Sequence, residues 1–239
     1  TPTPPRAHRG RPARTDHATP PRVALLFCAI PASHPAVADE YLVRDAAELQ
    51  QALQLAASND VNDTVRLVEG IYATHDNGGT FVFNDDAPHQ ITLVAQRRGT
   101  AILDGGGEHE VLVIKHAASG GKVFVDGLVL RNGTRGLRIE NANVDIKHTQ
   151  FLNNVVANDA AGAGGGGLAV PYRVDSVVIS DSTFTGNSAL PRNLNGRGGA
   201  AYVNAVDVTV SRSRFLANLA HQEGGALALR NSGREATIE

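Results

Sequence analysis

Six side chains with rings or hydrogen-bonding groups lie in or directly beside short apolar segments that recur along the second half of the chain. Aromatic rings offer flat stacking surfaces, and amide and guanidinium groups donate hydrogen bonds to hydroxyl groups. On adjacent strands such residues would form a shallow carbohydrate-binding strip; the alternative is a solvated sheet face with incidental tyrosines. The residues are Arg138, Glu140, Tyr172, Tyr202, Asn204 and Arg230.

The same positions are poor in catalytic groups. A calcium-assisted lyase needs several carboxylates around one ion, and a glycoside hydrolase needs two at a defined separation. Glu140 is the single acidic residue among the six. Gly162, Gly164 and Gly167 match GxGxxG, but the segment leads into a strand pattern rather than a helix. The nine His residues lack zinc-ligand spacing. We therefore predict no catalytic residue, metal or cofactor in this chain.

A repeat sets the spacing of these segments. Phe151, Phe184 and Phe215 lie 33 and 31 residues apart, and each opens a Phe-x-x-Asn motif that is followed by a Gly pair and an apolar run. A period of this size indicates a stacked array. Four segments align without gaps: 123–133, 144–154, 177–187 and 208–218. In the first of them Leu130 takes the place of Phe and Gly133 that of Asn.

A second series of strands precedes these segments. Its members are 111–114, 137–139, 168–170, 201–203 and 227–229. Such short strands cannot bury an apolar face alone, so each turn of chain must stack on the next in a parallel coil. We expect one inward ladder of Leu130, Phe151, Phe184 and Phe215. We expect a second ladder at a corner, where Asn154, Asn187 and Asn218 adopt left-handed backbone and donate to the next rung.

One segment near the amino terminus reads as a helix. Asp45 is a suitable N-cap and Glu48 completes a capping-box pattern, while Ala46, Leu49, Leu53 and Ala56 share one face. We expect this helix to cover the first rung. The predicted fold class is thus all-β, a right-handed parallel β-helix (solenoid) with one N-terminal capping helix.

Residues 1–38 form a separate region. Basic and proline-rich residues 1–22 are predicted to be disordered, and Val23–Ile30 followed by Ala36-Val37-Ala38 has the layout of a signal peptide. A buried strand is the alternative for the apolar run, which is too short to span a membrane as a helix. Cys28, the single cysteine, lies within it. Removal of residues 1–38 leaves 17 basic and 23 acidic residues, a net charge of −6, which argues against nucleic acid as a partner.

Residues 39–239 are the predicted β-helix domain. We expect it to be a truncated part of a longer stack, because no helix or charged loop follows the last strand pattern. An uncovered parallel edge is predicted to self-associate or fray.

The Gly-Gly-Ala-aliphatic segments GGLAV, GGAAYV and GGALAL, together with FLNN, FTGN and FLAN, resemble the repeats of polymorphic outer-membrane proteins. Residues 46–74, TAILDGGG and VDGLVLRNG resemble the amino-terminal half of bacterial pectin-lyase-like β-helix proteins, including secreted proteins of the choice-of-anchor type. The resemblance implies a secreted or cell-surface scaffold for adhesion that contacts a polysaccharide or host glycan. A polysaccharide lyase or glycoside hydrolase of the same fold and an autotransporter passenger fragment are the alternatives.

Overall fold

The computed structural model describes residues 38–59, 61–117, 119–157, 164–190, 196–230 and 235–239. The predicted basic leader, nearly all of the predicted signal peptide, and Cys28 lie outside these residues. Within the described part, no helix combines the length and the apolar character that crossing a membrane requires.

The described residues form one α-helix, α1 (Ala46–Ala56), a 3-10 turn at Thr74–Asn77, and a series of short strands. The strands up to residue 140 are β1 (Glu40–Val43), β2 (Asp63–Leu67), β3 (Gly70–Ala73), β4 (Phe81–Asp85), β5 (Gln90–Ala95), β6 (Ala101–Asp104), β7 (Glu110–His116), β8 (Gly121–Asp126), β9 (Val129–Arg131) and β10 (Arg135–Glu140). The strands after residue 140 are β11 (Ala142–Lys147), β12 (Gln150–Leu152), β13 (Val155–Val156), β14 (Leu168–Ser180), β15 (Thr183–Thr185), β16 (Ser188–Ala189), β17 (Ala201–Ser211), β18 (Arg214–Leu216), β19 (Leu219–Ala220), β20 (Leu227–Arg230) and β21 (Glu235–Ile238).

Neighbouring strands pair in parallel throughout the stack. The first face consists of β4, β7, β10, the amino-terminal parts of β14 and β17, and β20. The second face consists of β1, β2, β5, β8, β11, the carboxyl-terminal parts of β14 and β17, and β21. The third face is β3, β6, β9, β12, β15 and β18, and a short row of β13, β16 and β19 completes the turn. The predicted parallel β-helix is therefore confirmed.

The inward side chains form one hydrophobic cluster along the coil. Phe151 and Phe184 stack with ring centroids 4.5 Å apart and planes 8° from parallel, and Phe184 and Phe215 stack at 5.0 Å and 10°. Leu130 lies opposite Phe151 in the register of β9 and β12. In the other series, Leu112 rather than Val111 lies opposite Leu137, so the expected alignment was off by one residue in its first member.

The ladder of Asn side chains is present, but its backbone differs from the prediction. The left-handed residues are those just before it: Asn153 has φ 54°, Gly186 has φ 66° and Ala217 has φ 51°. The chain bends at these residues, so the following Asn turns its side chain into the stack, where Asn154 and Asn187 are fully buried. The Nδ2 of Asn154 donates to Oδ1 of Asn187 at 2.9 Å.

The glycine-rich corner is also shifted by one residue in one copy. The Gly pairs of the repeat are 166–167, 198–199 and 224–225, but Gly165 rather than Gly166 shares the left-handed conformation of Gly198 and Gly224, with φ values of 82°, 62° and 60°. The next residue, Gly166 in this copy, has no room for a side chain, because a Cβ there would lie 2.6 Å from the carbonyl oxygen of Ser188. Gly167 therefore aligns with Ala200.

Helix α1 covers the amino-terminal end of the coil. The Asp45 side chain caps it by accepting from the Glu48 amide at 2.8 Å, and Glu48 accepts from the Arg44 amide rather than from that of Asp45. Gln50 completes the edge of the first face, because its amide accepts from the Val82 N–H and donates to the Val82 carbonyl, both at 2.9 Å. The Gln50 side chain thus makes the hydrogen bonds that a neighbouring strand would make on this side of β4.

Candidate functional site

Five of the six residues predicted to bind a ligand lie on the outward side of the first face. Arg138 and Glu140 belong to β10, and Asn204 of β17 lies opposite Arg230 of β20 in register. Tyr202 lies on the same side of β17. The predicted strip thus exists as a row of neighbouring positions, and its contacts decide what it can do.

Arg138 and Glu140 of this row belong to an ion-pair network. The Arg138 guanidinium contacts Glu140, and its Nη2 lies 2.9 Å from Glu110 Oε2. Glu110 also accepts from the buried Arg135. Glu110 directly precedes the apolar residues Val111–Ile114 and joins the sheet as the first residue of β7. Glu110 and Glu140 thus bring two carboxylates to Arg138, which occupies the space between them.

Tyr202 does not offer the open ring that stacking requires, because it is only 3% exposed. Tyr202 hydrogen bonds with Arg230. This hydrogen bond and, as a smaller cause, the electrostatic attraction between the two groups raise the pKa of Arg230. Asn204 donates from Nδ2 to the Pro171 carbonyl at 3.3 Å. The predicted binding groups of the first face are therefore occupied largely by one another.

Tyr172 lies apart from the other five residues. The register between β14 and β17 shifts between Val170 and Val174, so β14 bulges at the corner between the first and second faces. Tyr172 is 54% exposed on this bulge, next to Arg173. Bulges re-aim side chains and are frequent beside binding sites. The bulge therefore places Tyr172 beside the second face rather than in the row on the first face.

An aromatic residue that sequence reasoning did not select stands at the centre of the second face. Phe124 lies between Val123 and Val125, which are both buried inward, so its ring points to the opposite, outward side. The ring is half-buried there. The sequence contains the pattern that identifies Phe124 as outward: residues 122–126, Lys-Val-Phe-Val-Asp, alternate strictly, and Phe124 takes a position on the polar side. Alignment of the repeats does not single out Phe124, because the aligned segments carry Asp145 and Val178 at the same position.

Two open depressions flank Phe124. One has a volume of about 360 Å³ and the other of about 210 Å³, and Phe124 and Asp145 line both. A third depression of about 150 Å³ adjoins the second through Asn143 and ends at Arg173, beside the bulge. The three form a groove across several rungs of the second face, which we call the Phe124 groove. Its other polar lining residues include Thr64, Arg66, Thr92, Lys122, Lys147 and Ser176.

Charges in the Phe124 groove are mostly paired. Lys147 Nζ lies 3.3 Å from Asp145 Oδ2, and Arg66 Nε lies 2.6 Å from Glu40 Oε1. The other oxygen of Asp145, Oδ1, is covered and finds no hydrogen-bond partner among the described residues. The arrangement offers a ring, hydroxyl and amide groups, and one unsatisfied acceptor.

Among the described residues, no group of three or more His, Cys, Asp or Glu side chains lies close enough to hold a metal ion.

Comparisons with known proteins leave the activity open. No protein-family model and no curated protein sequence matches the chain. Among solved structures, it is similar to an alginate lyase from Paenibacillus sp. str. FPU-7, with 19% sequence identity and a TM-score of 0.41. The match covers 74% of this chain and 57% of the lyase. The assignment as a parallel β-helix therefore rests on the strand pairing within this chain.

Proposed function

We propose that this chain is a secreted or cell-surface β-helix scaffold that contacts glycans through the Phe124 groove. The observation that carries the proposal is an outward, half-buried aromatic ring in the middle of a sheet face, flanked by two depressions that polar and apolar side chains line together. A large ring on the outward side of this sheet is not needed for the core. It gives a sugar ring an apolar surface for stacking.

The shape of the groove supports a polymer as ligand. It crosses neighbouring rungs, which are about 4.8 Å apart, so successive sugar units of an extended chain meet successive strands. The rigid coil holds its outward side chains in fixed positions, which lowers the entropy lost on binding. A glycan chain fits these features better than a compact small molecule, which is normally enclosed in a deeper cavity.

Phe124→Ala tests this proposal. We expect affinity for a polysaccharide that retards the wild-type chain in native affinity gels to fall about tenfold, because the stacking surface is lost. Ile71→Ala is the matched control, since Ile71 is an exposed apolar residue of the third face, 59% exposed. Equal retardation of Phe124→Ala and the wild type would refute the Phe124 groove as the contact surface.

A polysaccharide lyase or hydrolase is the second candidate, and Glu110 with Glu140 on the first face favours it. Arg138 lies between these two carboxylates, where a substrate oxygen or an attacking water would have to enter. We therefore keep the enzyme as the alternative.

The activity assay separates the two candidates. The purified chain is expected to release no unsaturated or reducing ends from pectate, alginate or polygalacturonate, with or without calcium. Turnover that disappears in Glu140→Gln would replace the scaffold with the enzyme, and Asp207→Ala serves as the control for an unrelated exposed carboxylate.

A further inference from the structure

We infer that the Phe124 groove takes neutral, hydroxyl-rich sugar units, and that Asp145 is the residue that recognises their hydroxyl groups. The inference rests on the proposed function, because it names the chemical class of ligand for the same groove.

Asp145 is placed beside the stacking ring. It lies directly opposite Phe124 in the parallel register of β8 and β11, and it lines both depressions that flank the ring. Adjacent strands are about 4.8 Å apart, which is close to the width of one sugar ring. A sugar stacked on Phe124 therefore brings its equatorial hydroxyl groups to the Asp145 carboxylate.

The hydrogen bonds of Asp145 are incomplete. Oδ2 lies 3.3 Å from Lys147 Nζ, whereas the covered Oδ1 has no donor among the described residues. A covered carboxylate oxygen without a donor is unfavourable, so a ligand that supplies an O–H group is favoured once a small rotation of the side chain exposes Oδ1. A sugar hydroxyl supplies that donor. The carboxylate of an acidic sugar supplies only acceptors and repels Asp145.

The cations around the ring do not reverse this preference. Lys147 is engaged by Asp145 itself, and Arg66 by Glu40. Lys122 is exposed, and no ion pair of its side chain is found among the described residues. Arg173, at the end of the groove, is also exposed and has no ion pair among the described residues. Lys122 and Arg173 could therefore attract an acidic polymer, so the experiment must include both.

The test compares neutral and acidic polymers on the full chain. Native gels containing arabinoxylan, galactomannan or mixed-linkage glucan are run beside gels containing polygalacturonate or alginate, at about 0.05 M and about 0.5 M NaCl. We expect at least one neutral polymer to retard the wild type equally at both salt concentrations. Asp145→Ala should weaken this binding about tenfold. Lys122→Gln and Asp207→Ala, which removes an exposed carboxylate of the same face outside the groove, should leave it unchanged.

The outcomes distinguish this inference from the proposed function. Retardation by acidic polymers alone, abolished by salt and by the double substitution Lys122→Gln with Arg173→Gln but still dependent on Phe124, would overturn the neutral-sugar inference and leave glycan binding in place. Retardation by neither class would overturn both. Full affinity in Asp145→Ala would remove Asp145 from the site. If Asp145→Ala unfolds, Asp145→Asn keeps the volume, and its affinity should still fall below that of the wild type.

Discussion

Phe184→Ala is expected to lower the free energy of unfolding by about 3 to 5 kcal/mol. Phe184 is fully buried and stacks on Phe151 and on Phe215. The glycine corner that leads into β14 in the same turn is packed against its ring, because a Cβ at Gly167 would lie 2.9 Å from Phe184 Cδ1. Removal of the ring leaves a cavity between two rungs that close backbone packing prevents from collapsing. Urea unfolding with an unchanged m-value measures the loss.

Phe124→Ala provides the matched comparison, since it makes the same substitution at an outward position. It should cost less than about 1 kcal/mol, because the ring contacts solvent on one side and no cavity forms. If Phe184→Ala costs less than about 0.5 kcal/mol, or no more than Phe124→Ala, the aromatic ladder does not stabilise the coil.

Asn187→Ala is expected to cost about 2 to 5 kcal/mol, because it leaves several buried groups without partners at about 1 to 3 kcal/mol each. The Asn187 Oδ1 accepts from the backbone N–H of Asn154 at 3.1 Å and from its Nδ2 at 2.9 Å. The Asn187 Nδ2 donates to the Phe151 carbonyl at 2.9 Å and to Asn218 Oδ1 at 3.0 Å. The substitution therefore breaks the ladder in both directions.

Asn153→Gly is the control for Asn187→Ala. Asn153 is exposed and left-handed, so glycine removes an amide of the same kind without strain. Its free energy of unfolding should stay within about 0.5 kcal/mol of the wild type. Hydrogen exchange locates the effect: Asn187→Ala should release the amide of Asn154 first, because Asn187 Oδ1 is its acceptor. A uniform change along the coil would contradict a local ladder.

The sequence by itself determined the coil, because its signals are periodic and local. Phe151, Phe184 and Phe215 recur at the length of one turn, and only stacking can bury such short strands. Asp45 and Glu48 identify the start of α1 in the same way, since a cap depends on residues three positions apart.

The exact register of the stacked turns, to a single residue, was decided by the tertiary structure. The left-handed bend falls on Asn153 and its counterparts rather than on the ladder residues, and Gly165 rather than Gly166 takes the left-handed conformation at the glycine corner. A shift of one residue leaves the sequence pattern intact, whereas backbone contact between rungs allows a single alignment. Contacts of this kind join residues about 30 positions apart, which no local motif encodes.

The binding surface depended most on tertiary structure. Matching positions on β10, β17 and β20 pointed to the first face, but a position in a strand does not reveal its neighbours. Arg138 is held by Glu110 and Glu140, and Tyr202 is buried. Phe124 was present in the sequence as one apolar residue on a polar side, and only the folded coil shows that depressions flank it. Strand alternation determines which way a side chain points, whereas the space beside it depends on rungs that are distant in sequence.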